Sequence, residues 1–549
     1  MTTNNGPVMA AAANVGGNHD RQHLQSHLAK LAAIGIALSA EHDLPVLLEK
    51  IVDEARVFAN ADAGTLYLID DTGKHLEFTI IQNTTMGVRM GGSTGPITWP
   101  PVPLYIDGVA NHTNVSSHTA LTGEIVNVPD VYQAKGFDFS GTRQFDAGTG
   151  YRSVSMLLIP MQNKEGEIIG VLQLINALDH RGQPTPFPPQ DVDLIASLAS
   201  QAAVAITNAR LYRDLENLFD AFIKTIAITI DEKSPHTAGH IRRVQALTMD
   251  IARTMNEDQG KFREFRLNKD ELRELSIAAW LHDIGKIVTP EHVVAKATKL
   301  EAVHDRIALI RARYEILKRD RQIQALQQAL AEQRPEPPAS PAVRAEEATP
   351  PDQDLAGELT ELEAEKRFIE HCNQPTEHMD DEKITRLQQI AARSCVNVGG
   401  DCRMTADELH NLSIRKGTLN EEERKIIENH VRVTHKMLSE LPFPKKLRRV
   451  PEYAASHHEK LDGSGYPFGL TAGQIPLPAR IIAVADIFEA LTAPDRPYKE
   501  PMPLSRALAI MNSMQEAGHI DPEITDFFIN KKVYRPYAER ELSASQRDC

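Results

Sequence analysis

Two adjacent histidines, His457 and His458, head a segment that reads HHEKLDGSGYP over residues 457–467. Imidazole is a common metal ligand near neutral pH, and a tandem pair offers two rings that can serve different ions. Alone, such a pair is more often a surface feature. Three other places change that reading. His282 and Asp283 lie inside an apolar helical stretch, His430 lies midway along another, and Asp486 interrupts the apolar run IIAVADIF. Ionisable groups on faces patterned as buried are costly unless paired, hydrogen-bonded or metal-bound. Several of them in one chain point to a shared polynuclear site. Imidazoles and carboxylates suit first-row metals such as iron and manganese, and two such ions side by side can drive phosphodiester hydrolysis.

The elements that must carry these groups are legible from caps and spacing. Asn268 and Glu271 form a capping box, and the apolar face through Leu272, Leu275 and Ala279 then reaches His282. Lys286 follows Asp283 by three positions and so projects near the same face. Asn420 and Glu423 form a second capping box, opening the helix that carries His430. His240 lies in SPHTAGHIRRV (234–244), and Gly463, Gly465 and Pro467 shape a stiff loop after the histidine pair.

Upstream, apolar residues at helical spacing occupy 24–59. Thr65–Ile69 and Leu76–Ile81 read as a hairpin around Asp70-Asp71-Thr72-Gly73, and Val154–Met161 and Ile168–Ile175 as a second one. From Asp191 one long helix is expected, with an apolar stripe through Leu194, Leu198, Ala202, Ala205, Ala209, Tyr212, Leu215, Phe219, Phe222 and Ile226. Such a stripe is a packing seam, and a parallel homodimer through residues 191–230 is expected from it.

The chain of 549 residues is too long for one core. A net charge of −15 argues against a nucleic-acid polymer as partner. Only four cysteines occur, at positions that match no zinc signature, which fits a reducing cytoplasm. LAAIGIALSA (31–40) is too short to span a bilayer, so no membrane contact is expected.

With these residues in view, the chain resembles two families. HDIGK (282–286), HHEKLDGSGYP (457–467), ARIIAVADIFEALT (479–492) and DRPYK (495–499) are similar to the HD-GYP family, metal-dependent phosphodiesterases that hydrolyse the bacterial messenger cyclic di-GMP. The resemblance implies an all-α domain in which His240, His282, Asp283, His430, His457, His458 and Asp486 hold two divalent ions, iron or manganese, with Asp283 bridging them. It implies catalytic roles for Asp283 and Lys286. It places Lys286, Arg496, Lys499, Gly465, Tyr466 and Pro467 at the substrate, and signalling-protein contacts at the Gly-Tyr-Pro loop. Relatives with three ions carry a glutamate where this chain has His236, so a third ion on His236 is the alternative to two. The product expected first is pGpG, with GMP the outcome if a third ion holds it for a second cleavage. A non-catalytic cyclic dinucleotide receptor, or a phosphodiesterase for another cyclic nucleotide, are the competing readings.

The helix–hairpin–loop–hairpin–helix order before residue 190, with IIGVLQLIN (168–176), resembles a GAF sensory domain, an α+β fold with an antiparallel sheet. Asn176, Phe187 and Asp191 match the signature of cyclic-nucleotide-binding members, whereas Ala177 and Val192 depart from it. The expected organisation is a disordered tail (1–23), a GAF domain (24–190) with an unknown small ligand or none, a signalling helix (191–230), an HD-GYP domain (231–535) and a C-terminal tail (536–549). A helical insertion at 300–412 departs from the family. Its proline-rich tip, 334–353, is expected to be disordered. A dimer brace or passive insertion is the simpler role for it, and a docking arm or active-site lid the other.

Overall fold

The computed structural model describes residues 29–41, 43–233, 239–332, 351–393, 403–493 and 502–549. The expected tail at 1–23 and most of the proline-rich tip lie outside them, as do His236, Arg496 and Lys499. The chain divides into two compact units, residues 1–218 and 219–549.

In the first unit, α1 (Ala29–Ser39) and α2 (Leu44–Phe58) precede an antiparallel sheet. Its main strands are β1 (Ala61–Ile69), β2 (His75–Asn83), β3 (Val88–Gly91), β4 (Val126–Val128), β5 (Met156–Gln162) and β6 (Ile168–Leu178). They lie in the order β3-β2-β1-β6-β5-β4. Both expected hairpins are present, β1 with β2 and β5 with β6. The Asp70 carboxylate closes the first turn by accepting from Lys74 N and His75 N, and Gly73 takes φ +68° there. The long-range pairing that joins the hairpins, Thr65 opposite Gln173, carries no local signal.

Helices α3 (Val115–Thr122) and α4 (Ser140–Thr149) lie within the loop region, and α5 (Pro189–Lys233) closes the unit. One core packs α1, α2 and the first half of α5 on the sheet, through Leu38, Leu47, Ile51, Leu172, Leu198 and Ala202. The other face holds Tyr67, Val115, Phe139 and Leu158. The α5 stripe is therefore not one seam. Leu198, Ala202, Ala205 and Ala209 are buried in their own domain, while Tyr212, Leu215, Phe222 and Ile226 are exposed. Two of the residues matching the cyclic-nucleotide signature, Phe187 and Asn176, are structural here. Phe187 is core. Asn176, at φ +56°, accepts from Val154 N and Ser155 N and donates to Tyr151 Oη and Arg152 O.

The second unit is helical. Its core joins the end of α5 (Ile223, Ala227, Ile230) to α6 (His240–Glu257), α7 (Lys269–Leu281), α14 (Val450–Ala455), α15 (Leu477–Thr492), α16 (Leu504–Glu516) and α17 (Pro522–Asn530). Helix α13 (Glu421–Ser439) closes over it. The expected tail at 536–549 is packed instead. Tyr537, Ala538 and Leu542, on or just after α18 (Arg535–Glu541), are buried, and Gln546 donates to Thr492 O and Met502 O. Few apolar residues mark this segment, but Tyr537 fills a place against Phe488 that sequence spacing does not reveal.

Between α7 and α13 come α8 (Glu291–Val294), α9 (Ile307–Glu332), α10 (Pro351–Cys372), α11 (Asp381–Ala392) and α12 (Ala406–Leu412). The insertion is more than a hairpin. Leu300, Ile310, Tyr314, Leu362, Ile369, Leu387, Met404 and Leu412 form a core of their own.

The Asn176→Ala variant takes their side-chain partner from Val154 N, Ser155 N and Arg152 O and puts a side chain without local hydrogen bonding at positive φ. It is expected to destabilise the first unit by about 1–3 kcal/mol. Calorimetry on the full chain should show that unit's transition lowered and the helical unit's unchanged.

Candidate metal centre

Five helices deliver the ligand candidates. His282 caps the C-terminus of α7, and the chain then tightens into a 3-10 turn, Ile284–Val288, so that Asp283 points back beside it. This turn lies hard against α13. A Cβ on Gly285 would stand 1.9 Å from His430 O, so only glycine permits the approach. Thr434, fully buried, accepts from Gly285 N and donates to His282 O. The His-Asp pair and the helix of His430 are thus locked to each other. His457 and His458 follow α14 directly, Asp486 lies on α15, and His240 is the first residue of α6. Asn268–Glu271 and Asn420–Glu423 form the two expected capping boxes.

The ring nitrogens are sorted by role. His282 Nδ1 donates to Ala279 O at 2.8 Å, His430 Nδ1 to Ile427 O at 2.5 Å, and His457 Nδ1 to Ala454 O at 2.6 Å. Each bond fixes the proton on Nδ1 and leaves Nε2 with a lone pair. Those three Nε2 atoms are buried without a hydrogen-bond partner, and so is Asp283 Oδ1. They face one another. Asp283 Oδ1 lies 3.2 Å from His430 Nε2, and Asp283 Oδ2 lies 3.3 Å from His282 Nε2 and 3.4 Å from His240 Nε2. Asp486 Oδ1 is also 3.4 Å from His240 Nε2. Lone pairs at such distances in a buried space repel unless a cation stands between them. The donor set therefore fits divalent metal. Ligating atoms within 4.8 Å of one another fall into the groups His240, His282, Asp486; His282, Asp283, His457; and His430, His457, His458.

Charge in the metal-free site follows the same lines. Burial works against ionisation of Asp283, yet the Lys286 ammonium, 2.5 Å from Oδ2, holds its carboxyl well below the usual range. Burial pushes His457 down to about 3 and also depresses half-buried His458, so both rings are neutral ligands at pH 7. His240 differs. Burial opposes its charge, but Glu489 raises it to about 10. A metal there must displace a proton.

The Tyr466 ring lies 4.9 Å from that of His458. Glu459 shapes the loop by accepting from Phe468 N and Leu470 N, and Arg432 donates to Pro467 O. Gly465 passes so close to Glu459 and Lys460 that a Cβ would stand 2.3 Å from Lys460 N. Arg480 is structural, binding Ile475 O, Ala472 O and Asp521. Glu489 and Arg243 were missed in the sequence. Their signal was the three-residue spacing from Asp486 and from His240, which repeats on α15 and α6 the spacing of a shared helix face.

Comparison with known proteins follows this division. Family models match a GAF domain at residues 43–206 and HD domains at residues 237–392 and 361–524. Over 109 residues the chain is 45% identical to the 3'3'-cGAMP-specific phosphodiesterase 3 of Vibrio cholerae, covering 20% of this chain and 23% of that protein. Over 135 residues it is 36% identical to a cyclic di-GMP phosphodiesterase of Thermotoga maritima, covering 24% and 36%. The matched stretches thus span roughly a quarter to a third of these relatives. Among solved structures, the GAF domain of an Acinetobacter phosphoenolpyruvate-protein phosphotransferase aligns at 16% identity and a TM-score of 0.24, over 34% of this chain and 98% of that one.

A histidine whose pKa drops from 6.5 to about 3 on folding is neutral in both states above pH 6.5 and disfavours the folded state increasingly as pH falls toward 3. In chelator-stripped protein, His457→Gln removes this liability. Between pH 6 and pH 5 the variant should gain on the parent by about 1.4 kcal/mol per pH unit. Urea unfolding at pH 8, 6 and 5 measures it, and a difference independent of pH would contradict the assignment.

Proposed function

We propose that this chain, which carries a GAF domain followed by an HD domain, is a GAF-regulated HD-GYP-type phosphodiesterase that hydrolyses a cyclic dinucleotide, cyclic di-GMP first among them. The observation that carries the reading is the buried Asp283 carboxylate, with Oδ2 toward His240 and His282 and Oδ1 toward His430. On this reading His240, His282, Asp486 and Asp283 hold one divalent ion, and His430, His457, His458 and Asp283 the other, iron or manganese in each case. Ions held there supply a nucleophile near neutral pH and offset charge gathering on the phosphate. Hydrolysis adds water across one phosphodiester. The water oxygen bonds to phosphorus, the bond from phosphorus to the 3′-oxygen breaks, and a proton ends on that oxygen, giving linear pGpG.

The protein's own groups receive the phosphate. Lys286 stands against Asp283 with its side chain 28% exposed, which supports a phosphate contact. Tyr466, over His458, supports a place for the Gly465-Tyr466-Pro467 loop beside the substrate. Arg496 and Lys499 enter the proposal through the family resemblance alone, as does His236 as ligand of a third ion. The donor set argues against a non-catalytic receptor. The 45% identity to a 3'3'-cGAMP-specific enzyme favours 3'3'-cGAMP as the second substrate to test.

A homodimer is part of the proposal. Leu211, Leu215, Leu218 and Phe222 are exposed on one run of α5 at spacings of three and four. The cytoplasm remains the proposed location, and buried Cys372 is a free thiol there. Helix α5 is long and apolar enough to cross a membrane, but Leu198, Ala202 and Ile206 from it lie in the core of the first unit.

Manganese- or iron-loaded protein should convert cyclic di-GMP to pGpG, and Asp283→Ala should reduce turnover to background. Undiminished turnover in that variant, or none by the parent on a panel of cyclic di-GMP, 3'3'-cGAMP, cAMP and cGMP, would sink the assignment. For the dimer, Leu215→Glu with Leu218→Glu should give a monomer by sedimentation at micromolar concentration. Leu198 is unsuited to this test because its side chain belongs to the domain's own core.

A further inference from the structure

Three of the four buried site histidines orient themselves in the same way. His282, His430 and His457 each give their Nδ1 proton to the carbonyl three residues back, at Ala279, Ile427 and Ala454. His240 has no such partner in its own helix, because it is the first residue of α6. Its Nδ1 instead meets Glu489 Oε2 at 2.6 Å, across from α15. Glu489 is fully buried, and its other oxygen accepts from Arg243 Nε at 2.7 Å. Arg243, also buried, lies three residues after His240, and Glu489 lies three residues after Asp486. Two facing helices thus contribute one candidate ligand and one supporting residue each.

A buried carboxylate is otherwise a cost. This one is bound on both oxygens by buried groups, and among the described residues it serves no further hydrogen-bond partner. It also differs in kind from the carbonyls behind the other rings, because a carboxylate raises the basicity of the imidazole it holds. We propose that Glu489 is the positioning residue for His240, fixing the ring so that Nε2 faces Asp283 and Asp486, and that Arg243 in turn fixes Glu489. The proposal rests on the two-ion reading above and deepens it. It assigns to one ion, on the His240 side, a support that the ion on the His430 side does not share.

Glu489→Gln tests it. An amide has one acceptor oxygen, for which His240 Nδ1–H and Arg243 Nε–H would compete. The probe is cobalt(II) alone, titrated anaerobically into chelator-stripped full-length protein and read by its visible absorption and by elemental analysis. The parent should bind two ions per chain. Glu489→Gln should keep one at parental affinity and hold the other about 10–100-fold more weakly. Glu489→Asp should recover part of that loss. Parental affinity for both ions in Glu489→Gln overturns the positioning role while leaving the metal centre intact. No cobalt bound by the parent overturns the metal reading, and this proposal with it. Thermal melting of the stripped proteins reports folding. If Glu489→Gln does not fold, Arg243→Gln, which leaves the carboxylate on His240, should weaken the same single ion by a smaller factor. Two parental affinities in that variant count against the proposal equally.

Discussion

The helical unit is organised by one electrostatic conflict. Asp283 is 2% exposed, and around its two oxygens stand the Nε2 atoms of His240, His282 and His430 at 3.2–3.4 Å. Three of the rings in the cluster have their proton committed on the far side. Lone pairs therefore face lone pairs where water cannot screen them. Cations resolve the conflict, and Lys286 and the protonated His240 do so only in part. A cluster kept in this arrangement is a cost to folding unless metal binding returns the energy.

Holding such a cluster together requires rigid contacts close behind it. Gly285 lets the turn after Asp283 touch the backbone of α13, and Thr434 bonds both sides of that contact. The Thr434 hydroxyl serves as a clasp across it. The separation between His282 and His430 is thus set by backbone-level packing, which is stiffer than a side-chain contact.

The insertion reaches the same helix by a different route. Lys296, just ahead of the insertion, is buried and pairs with Glu423 at 2.8 Å, within the capping box of α13, while also donating to Asn411 of α12, inside the insertion. Asn420 bonds Asn411 as well. The insertion therefore has its own core and a polar tie to the start of the helix carrying His430. A buried ion pair of this kind favours one arrangement over others more than it adds stability.

What the sequence determined by itself was local. Both capping boxes, both hairpins, the long helix and the candidate ligands could be read from spacing and residue type, because each depends on neighbours within a turn or two. Tertiary structure decided which parts of those elements are covered. The α5 stripe looked like one seam, but its first half packs into its own domain, since burial depends on strands distant in the chain. Residues 536–549 looked like a tail, yet Tyr537 and Gln546 close the core. Glu489 looked like one more helix acid. Only the crossing of α15 with α6 shows that it faces His240, the site histidine that begins its helix and is held by a carboxylate where His282, His430 and His457 are held by backbone carbonyls.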